Sequence, residues 1–349
     1  MCEHTFVRWE NLSVERQEGE TSNLPGFRDP AVVRRFDAPE AMGIRFHEIN
    51  ARSAINEVPK ASRMPFRYTI NPYRGCTHAC RWCFARPTHT YLDFNAREDF
   101  EREIVVKVNV PELLRKELAK RSWAGAHIAL GTNTDPYQWV EGRYELMRGI
   151  WAAMRDYANP CSVLTKSPLL TRDIDLMLEI RERTDFTAAL SIPTLEPKAW
   201  RATEPGTPHP RKRIEAVEKL NEAGIPTGVL IAPLQPGVND DPEQVRELVD
   251  LCAAAGATHV TPIPLHLRGE VKDIWFDWLR ENRPELLGRY AELYGRRAYL
   301  PGAESKRLTA LVKPRLKPNR HRAPRWRGRR ERPPAEKAET AESKQSSLF

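Results

Sequence analysis

The stretch GCTHACRWC sets Cys76, Cys80 and Cys83 in a Cys-x3-Cys-x2-Cys pattern, half of the six cysteines in the chain, with Trp82 just before the last. Thiolates are soft donors that suit zinc or iron–sulfur clusters. A closed structural zinc site takes four protein ligands, and His78 or His89 would complete a Cys3His set. A 4Fe–4S cluster usually takes four cysteines, so three would leave one iron open to a substrate or cofactor. Simple packing of three core cysteines fits poorly with the polar or small flanks Arg74, Gly75, Thr77, His78 and Arg81. The remaining cysteines offer no fourth ligand. Alternation along 161–167 puts Ser162, Leu164 and Lys166 on one face of a strand and Cys161, Val163 and Thr165 on the other. Cys252 shares a helical spacing with Val245, Leu248 and Val249, a buried face. Cys2 is terminal.

Something must hold that loop, and the chain around it alternates. Residues 66–73, 127–133, 161–167, 186–192, 225–233 and 257–267 read as main strands, with a further short strand at 103–108. Helical patterns lie between them. Asn109 reads as an N-cap, and Pro210 and Pro242 open helices that Gly224 and Gly256 close. Repeated strand–helix units imply an α/β fold with a parallel sheet and right-handed crossovers. An open doubly wound sheet and a full or partial barrel both satisfy the pattern. In either, loops at the carboxyl ends of strands carry the chemistry, and the cysteines follow the first strand. Residues 1–60 read as a polar N-terminal extension packing over a core at 61–300, and 301–349 as a tail. Trp275, Phe276 and Trp278 read as core.

The 349 residues are 40% hydrophobic, enough for one large domain or two small ones. No apolar run is long enough for a membrane span. The polar, acidic start lacks the regions of a secretory signal. A cytoplasmic, reducing location is therefore expected, with cysteines as ligands or core residues rather than disulfides. The net charge is +8, but residues 306–332 hold twelve Lys/Arg and one acidic residue, a net +11 that leaves −3 elsewhere. From Ser305 onward the chain is basic and proline-rich, and is expected to be largely disordered.

The cysteine motif with its penultimate aromatic, after the first strand of a repeated strand–helix domain, resembles the radical S-adenosylmethionine (SAM) superfamily. NPYRGCTHACRWCFAR, GTNTDPYQ and LTKSPLLTRDIDLM resemble its group related to spore photoproduct lyase, often called DNA repair photolyase-like, over roughly residues 65–300. The resemblance implies a partial (β/α)6 barrel of TIM type. It implies a 4Fe–4S cluster on Cys76, Cys80 and Cys83 whose open iron is chelated by SAM. Reductive cleavage of SAM then yields a 5′-deoxyadenosyl radical, and an electron donor such as flavodoxin or ferredoxin is required. Trp82 matches an aromatic beside the adenine, and Thr134 and Asp135 match polar residues near the SAM amino group. Lys166 matches a lysine near the SAM carboxylate, Ser191 a carboxylate or ribose contact, and Gly228 to Ala232 a strand lining the adenine. One departure limits the transfer. The hydrogen-donating cysteine of spore photoproduct lyase is matched by Thr132, whose O–H bond is too strong to replace a thiol. Scaffold and SAM cleavage carry over; thymine-dimer reversal by that route does not.

The tail segment KPRLKPNRHRAPRWRGRRER mixes arginines, prolines and Trp326, which suits salt-sensitive contact with nucleic acid and stacking on an unpaired base. The closing QSSLF, with Gln345, Leu348 and Phe349, resembles the peptide by which bacterial proteins bind the replicative sliding clamp. The expected function is a radical SAM enzyme of DNA repair or modification. The alternatives are the same chemistry on RNA, a protein or a small molecule, or a metal-stabilised nucleic-acid-binding protein without catalysis.

Overall fold

The computed structural model describes residues 20–312 apart from 60, 61 and 63. Cys2, Trp326 and the terminal Gln345, Leu348 and Phe349 lie outside the described residues. In chain order the strands are β1 (Thr21–Ser22), β2 (Ala31–Arg34), β3 (Arg45–Ile49), β4 (Ile55–Glu57), β5 (Tyr68–Ile70) and β6 (Tyr73–Arg74). They continue as β7 (Glu103–Lys107), β8 (Ile128–Leu130), β9 (Cys161–Thr165), β10 (Phe186–Ser191), β11 (Thr227–Leu234) and β12 (Val260–Pro264).

The main sheet runs β12-β11-β10-β9-β8-β5-β4. Its six strands from β5 to β12 are parallel and lie side by side in chain order, and β4 adds an antiparallel edge. The edges do not pair with each other, so the fold is α/β with an open, partial (β/α)6 barrel. Helices Leu146–Asp156, Ile174–Arg183, Pro210–Glu222 and Pro242–Ala254 follow β8 to β11 in turn. Each presents an apolar stripe to the sheet, as Met147, Ile150, Trp151 and Met154 do in the first. Strands with core on both sides need no polar alternation, and β8 is buried at every position. The Asp241 carboxylate accepts from the N–H groups of Glu243 and Gln244, at 3.0 Å each, and caps its helix. Cys161 and Cys252 lie in the core, as the spacing predicts.

Three features depart from the expected pattern. Residues 20–57, expected to pack over the core without strands of their own being assigned, supply β1 to β4, and the first three join β7 and β6 in a second sheet, β1-β2-β3-β7-β6. β3 pairs in parallel with β7, 58 residues downstream. Asn109 opens helix Val110–Leu118 without a side-chain cap. Its amide instead binds the backbone of Ala51, donating at 3.0 Å and accepting at 2.8 Å, and so fastens the N-terminal segment. Disorder from Ser305 is corrected over its first residues. Helix Gly302–Ala310 docks on the core with Leu308 and Val312 fully buried. Leu300 and Leu311 pack beside them, and Glu304 and Asp240 pair with the Arg307 charge.

Candidate functional site

The carboxyl ends of the parallel strands open onto a cavity of about 180 Å³ lined by all three motif cysteines. The cysteine loop turns tightly, with Ala79 N–H donating to Cys76 O (3.2 Å) and Cys83 N–H to Cys80 O (3.3 Å). Three braces hold it. Arg86 is fully buried and donates to the carbonyls of Ala79, Cys80, Ala96 and Arg97 at 2.7 to 3.1 Å, with Glu101 balancing its charge at 2.9 Å. Gln138 accepts from Thr77 N–H (3.0 Å) and donates to Gly75 O (3.2 Å). The turn after helix Pro197–Thr203 meets the loop backbone to backbone: Arg81 N–H donates to Thr203 O (3.0 Å), and Gly206 N–H to His78 O (3.2 Å). A Cβ on Gly206 would lie 2.0 Å from Thr77 O, so only glycine fits.

Burial pushes the Cys80 thiol well above its usual range and the Cys83 thiol up to about 11. Such thiols ionise only against positive charge, which a metal centre supplies. All five cysteines among the described residues are free. Among those residues, no group of three or more His, Cys, Asp or Glu closes around one ion-sized point. A cluster of several irons would instead be held by thiolates lining one common space, and the three motif cysteines line this cavity. His89 does not face it: the ring is buried against Phe94 and bonded to Glu103 O at 2.9 Å. His78 faces the cavity, but its Nδ1 sits 3.3 Å from an Asp135 carboxylate oxygen. Burial opposes charge on His78, yet Asp135 and Cys76 outweigh it and hold the imidazole up at about 10.

Trp82, Asp135, Lys166, Ser191 and Ala232 line the same cavity. The Lys166 ammonium donates to Ser191 Oγ (2.7 Å), lies 2.9 Å from Glu204 and stands 4.8 Å from the Trp82 ring centre. Ser191 Oγ in turn donates to Ala232 O at 3.0 Å. Asp135 accepts from Thr165 Oγ1 (2.6 Å), Tyr137 N–H (2.9 Å) and Lys166 N–H (2.7 Å). Burial alone would raise its pKa, but His78 and these donors hold the carboxyl below the usual range. Two expected residues are not in the cavity. Thr134 turns inward and donates to Tyr73 O at 2.9 Å. Gly228 lies farther down β11, where an added Cβ would meet the His259 ring at 2.1 Å, whereas Leu230 and Ala232 reach the wall. Thr132 is also off the wall, between Gly131 and Asn133, which are on it.

Glu204 was not legible in advance. It is fully buried and pairs with both Lys166 and Arg213, each at 2.9 Å. Burial raises its pKa, but the two cations outweigh this and hold the carboxylate ionised. Two cations on one carboxylate leave positive charge at the cavity floor, which suits an anionic ligand group. No spacing marks Glu204, because the turn that carries it reaches Lys166 only through tertiary packing.

Comparison with known proteins agrees with this geometry. A model of the radical SAM superfamily matches residues 70–252. An uncharacterized protein of Mycobacterium tuberculosis (strain ATCC 25618 / H37Rv) is 45% identical over 310 residues, covering 88% of this chain and 91% of its own. The radical SAM Nalpha-GlyT isomerase of Pseudomonas phage M6 is 27% identical over 194 residues, 54% of this chain and 37% of that one. A spore photoproduct lyase double mutant, solved with AdoMet and dinucleoside spore photoproduct bound, shares the fold. Its TM-score is 0.56 at 16% identity, over 77% of this chain and 78% of that one. With more than half of its length matched by the family model, the chain belongs to the radical SAM superfamily.

Proposed function

We propose that this protein is a radical SAM enzyme acting on nucleic acid, in DNA repair or modification. The observation that carries the reading is the convergence of Cys76, Cys80, Cys83, Trp82, Lys166 and Ser191 on one cavity. Cys76, Cys80 and Cys83 would hold a 4Fe–4S cluster. Lys166 and Ser191 would hold the SAM carboxylate, with Trp82 and Ala232 beside the adenine. When bound, the cluster and SAM supply one-electron cleavage of SAM and hydrogen abstraction from substrate. The chain's own residues set the conditions. Glu204 and Arg213 fix the Lys166 ammonium at the cavity floor. Arg86, Gln138 and Gly206 keep the thiol loop in one conformation. Leu230, Ile263 and Leu265 keep the wall apolar, which excludes water from a reactive centre.

Nucleic acid is favoured by the dinucleoside ligand of the lyase that shares the fold and by the basic tail. Thr132, off the cavity wall, supports a reaction other than the lyase's own. The reading extends to a cytoplasmic location, to flavodoxin or ferredoxin as electron donor, and to Gln345, Leu348 and Phe349 as a sliding-clamp peptide on a nucleic-acid-binding tether. Anaerobic reconstitution tests the core of it. About four irons per chain are expected, with 5′-deoxyadenosine formed from SAM on reduction. Bound zinc without SAM cleavage would overturn it. Deuterium transfer into 5′-deoxyadenosine from labelled DNA, and not from labelled RNA, separates the substrates.

A further inference from the structure

The mouth of the cavity carries three aromatic rings in a row. Phe84 follows the last motif cysteine, lines the cavity and is 47% exposed. Its ring centre lies 6.0 Å from that of His266, which also lines the cavity. The His266 ring stacks in turn on Tyr299, 5.7 Å away with the planes 23° apart, and Tyr299 is 58% exposed. Single exposed aromatics are common and need no explanation. A row that begins at the reactive cavity and ends in solvent is a different arrangement.

The backbone holds the row in place. His266 and Tyr299 pair in an antiparallel bridge, and Leu267 N–H donates to Ala298 O at 2.8 Å. Leu267 is fully buried beneath this ribbon, while His266 is half-buried at the cavity and Arg268 is exposed. Arg268, two residues after His266, and Arg296 and Arg297, three and two residues before Tyr299, are exposed, and none has an ion pair among the described residues. Burial lowers the His266 pKa, with Arg268 adding to the effect, which favours the uncharged ring. Flat π-faces next to unpaired guanidinium groups match a strand whose bases are unstacked and whose phosphates are charged.

We infer that Phe84, His266 and Tyr299 form a stacking platform for an unpaired nucleobase of a single strand, with Arg268, Arg296 and Arg297 on its phosphates. This rests on the nucleic-acid reading above and gives it a location. The platform leads a single strand to the cavity and does not itself react.

The test compares affinities of the reconstituted full-length protein for a twelve-nucleotide oligothymidylate and for an abasic strand of the same length. Stacking is worth about 1–3 kcal/mol per base, so the strand with bases should bind about fivefold more tightly or better. Tyr299→Ala should remove most of that preference and Tyr299→Phe should keep it, since only the ring is required. Phe84→Ala is a second probe, and Tyr299 keeps the test valid if Phe84→Ala disturbs the adjacent cysteine loop. Equal binding of the two strands by the wild type, or a preference that survives Tyr299→Ala in a Trp326→Ala background free of tail stacking, would overturn the platform. Those outcomes leave SAM cleavage untouched, whereas failure to form 5′-deoxyadenosine would sink the enzyme reading and not the platform.

Discussion

The two ends of the parallel sheet each hold a cavity, and the larger one is at the end without the motif cysteines. The amino end encloses about 280 Å³, against about 180 Å³ at the carboxyl end. At the amino end the wall includes Arg67, His127, Cys161 and Asp185 with two phenylalanines. There the chain returns directly from helix to strand, and backbone groups pair with one another: Cys161 N–H donates to Asp185 O (3.1 Å), and Ile128 N–H to Pro160 O (3.0 Å). At the carboxyl end, the loop after β6 and the ends of β9 to β12 all send side chains into one space. Volume therefore does not mark the site. Convergence of donors from separate crossovers does, and in a parallel sheet that occurs at the carboxyl ends.

The cysteines give the sharpest way to break this contrast. Replacing Cys76, Cys80 or Cys83 by alanine should reduce reconstituted iron to near background and abolish 5′-deoxyadenosine. Cys161→Ala, at the amino end, should keep both and lose about 1 kcal/mol of stability from a small core void. Iron loss in Cys161→Ala equal to that of the motif variants would erase the distinction between the ends.

A smaller effect is expected at Gly206. Alanine there drives a methyl into Thr77 O, so unfolding in urea should show a loss of about 1–3 kcal/mol, with weaker iron retention. Gly288, inside helix Leu287–Tyr294, has nothing within 4 Å of an added Cβ. Gly288→Ala should stabilise by up to about 1 kcal/mol through helix propensity. If both glycines respond alike, the close approach of the 204–207 turn to the cysteine loop is not what holds the site.

The smallest effect belongs to the amino end. Burial lowers the His127 pKa from its usual 6.5, with Asp185 opposing. The folded imidazole then takes a proton less readily than the unfolded one. Stability is full above about pH 6.5 and falls as pH drops through the interval down to the folded value. His127→Gln should flatten part of that fall in urea midpoints measured between pH 7 and pH 5. An unchanged pH profile would show that His127 is solvated in the folded state.

Much of the site was readable because it is local. The cysteine spacing is a short-range pattern, Trp82 and Lys166 were marked by the family resemblance of the segments that carry them, and strand alternation placed Cys161 on the core side without any contact information. The six parallel strands were readable for the same reason, since each unit carries its own apolar period and its own caps. What escaped was non-local. β3 acquires its partner β7 through a pairing across the intervening β4 to β6, and Asn109 spends its amide on Ala51 rather than on its own helix. Thr134 and Gly228 sit within the right segments but outside the cavity, because a loop's turn and a strand's depth are set by packing.

By itself the sequence determined the three-cysteine loop and the α/β repeat, since each is written in residue type and short spacing, while Lys166 and Ser191 were marked only by the resemblance to the radical SAM superfamily. Only the tertiary structure decided that Glu204 and Arg213 would lock Lys166, that Gly206 would press against the cysteine loop, and that Phe84, His266 and Tyr299 would line up at the mouth. Those residues come from turns far apart in the chain. Burial of the core brings them together, and no local period records where such turns meet.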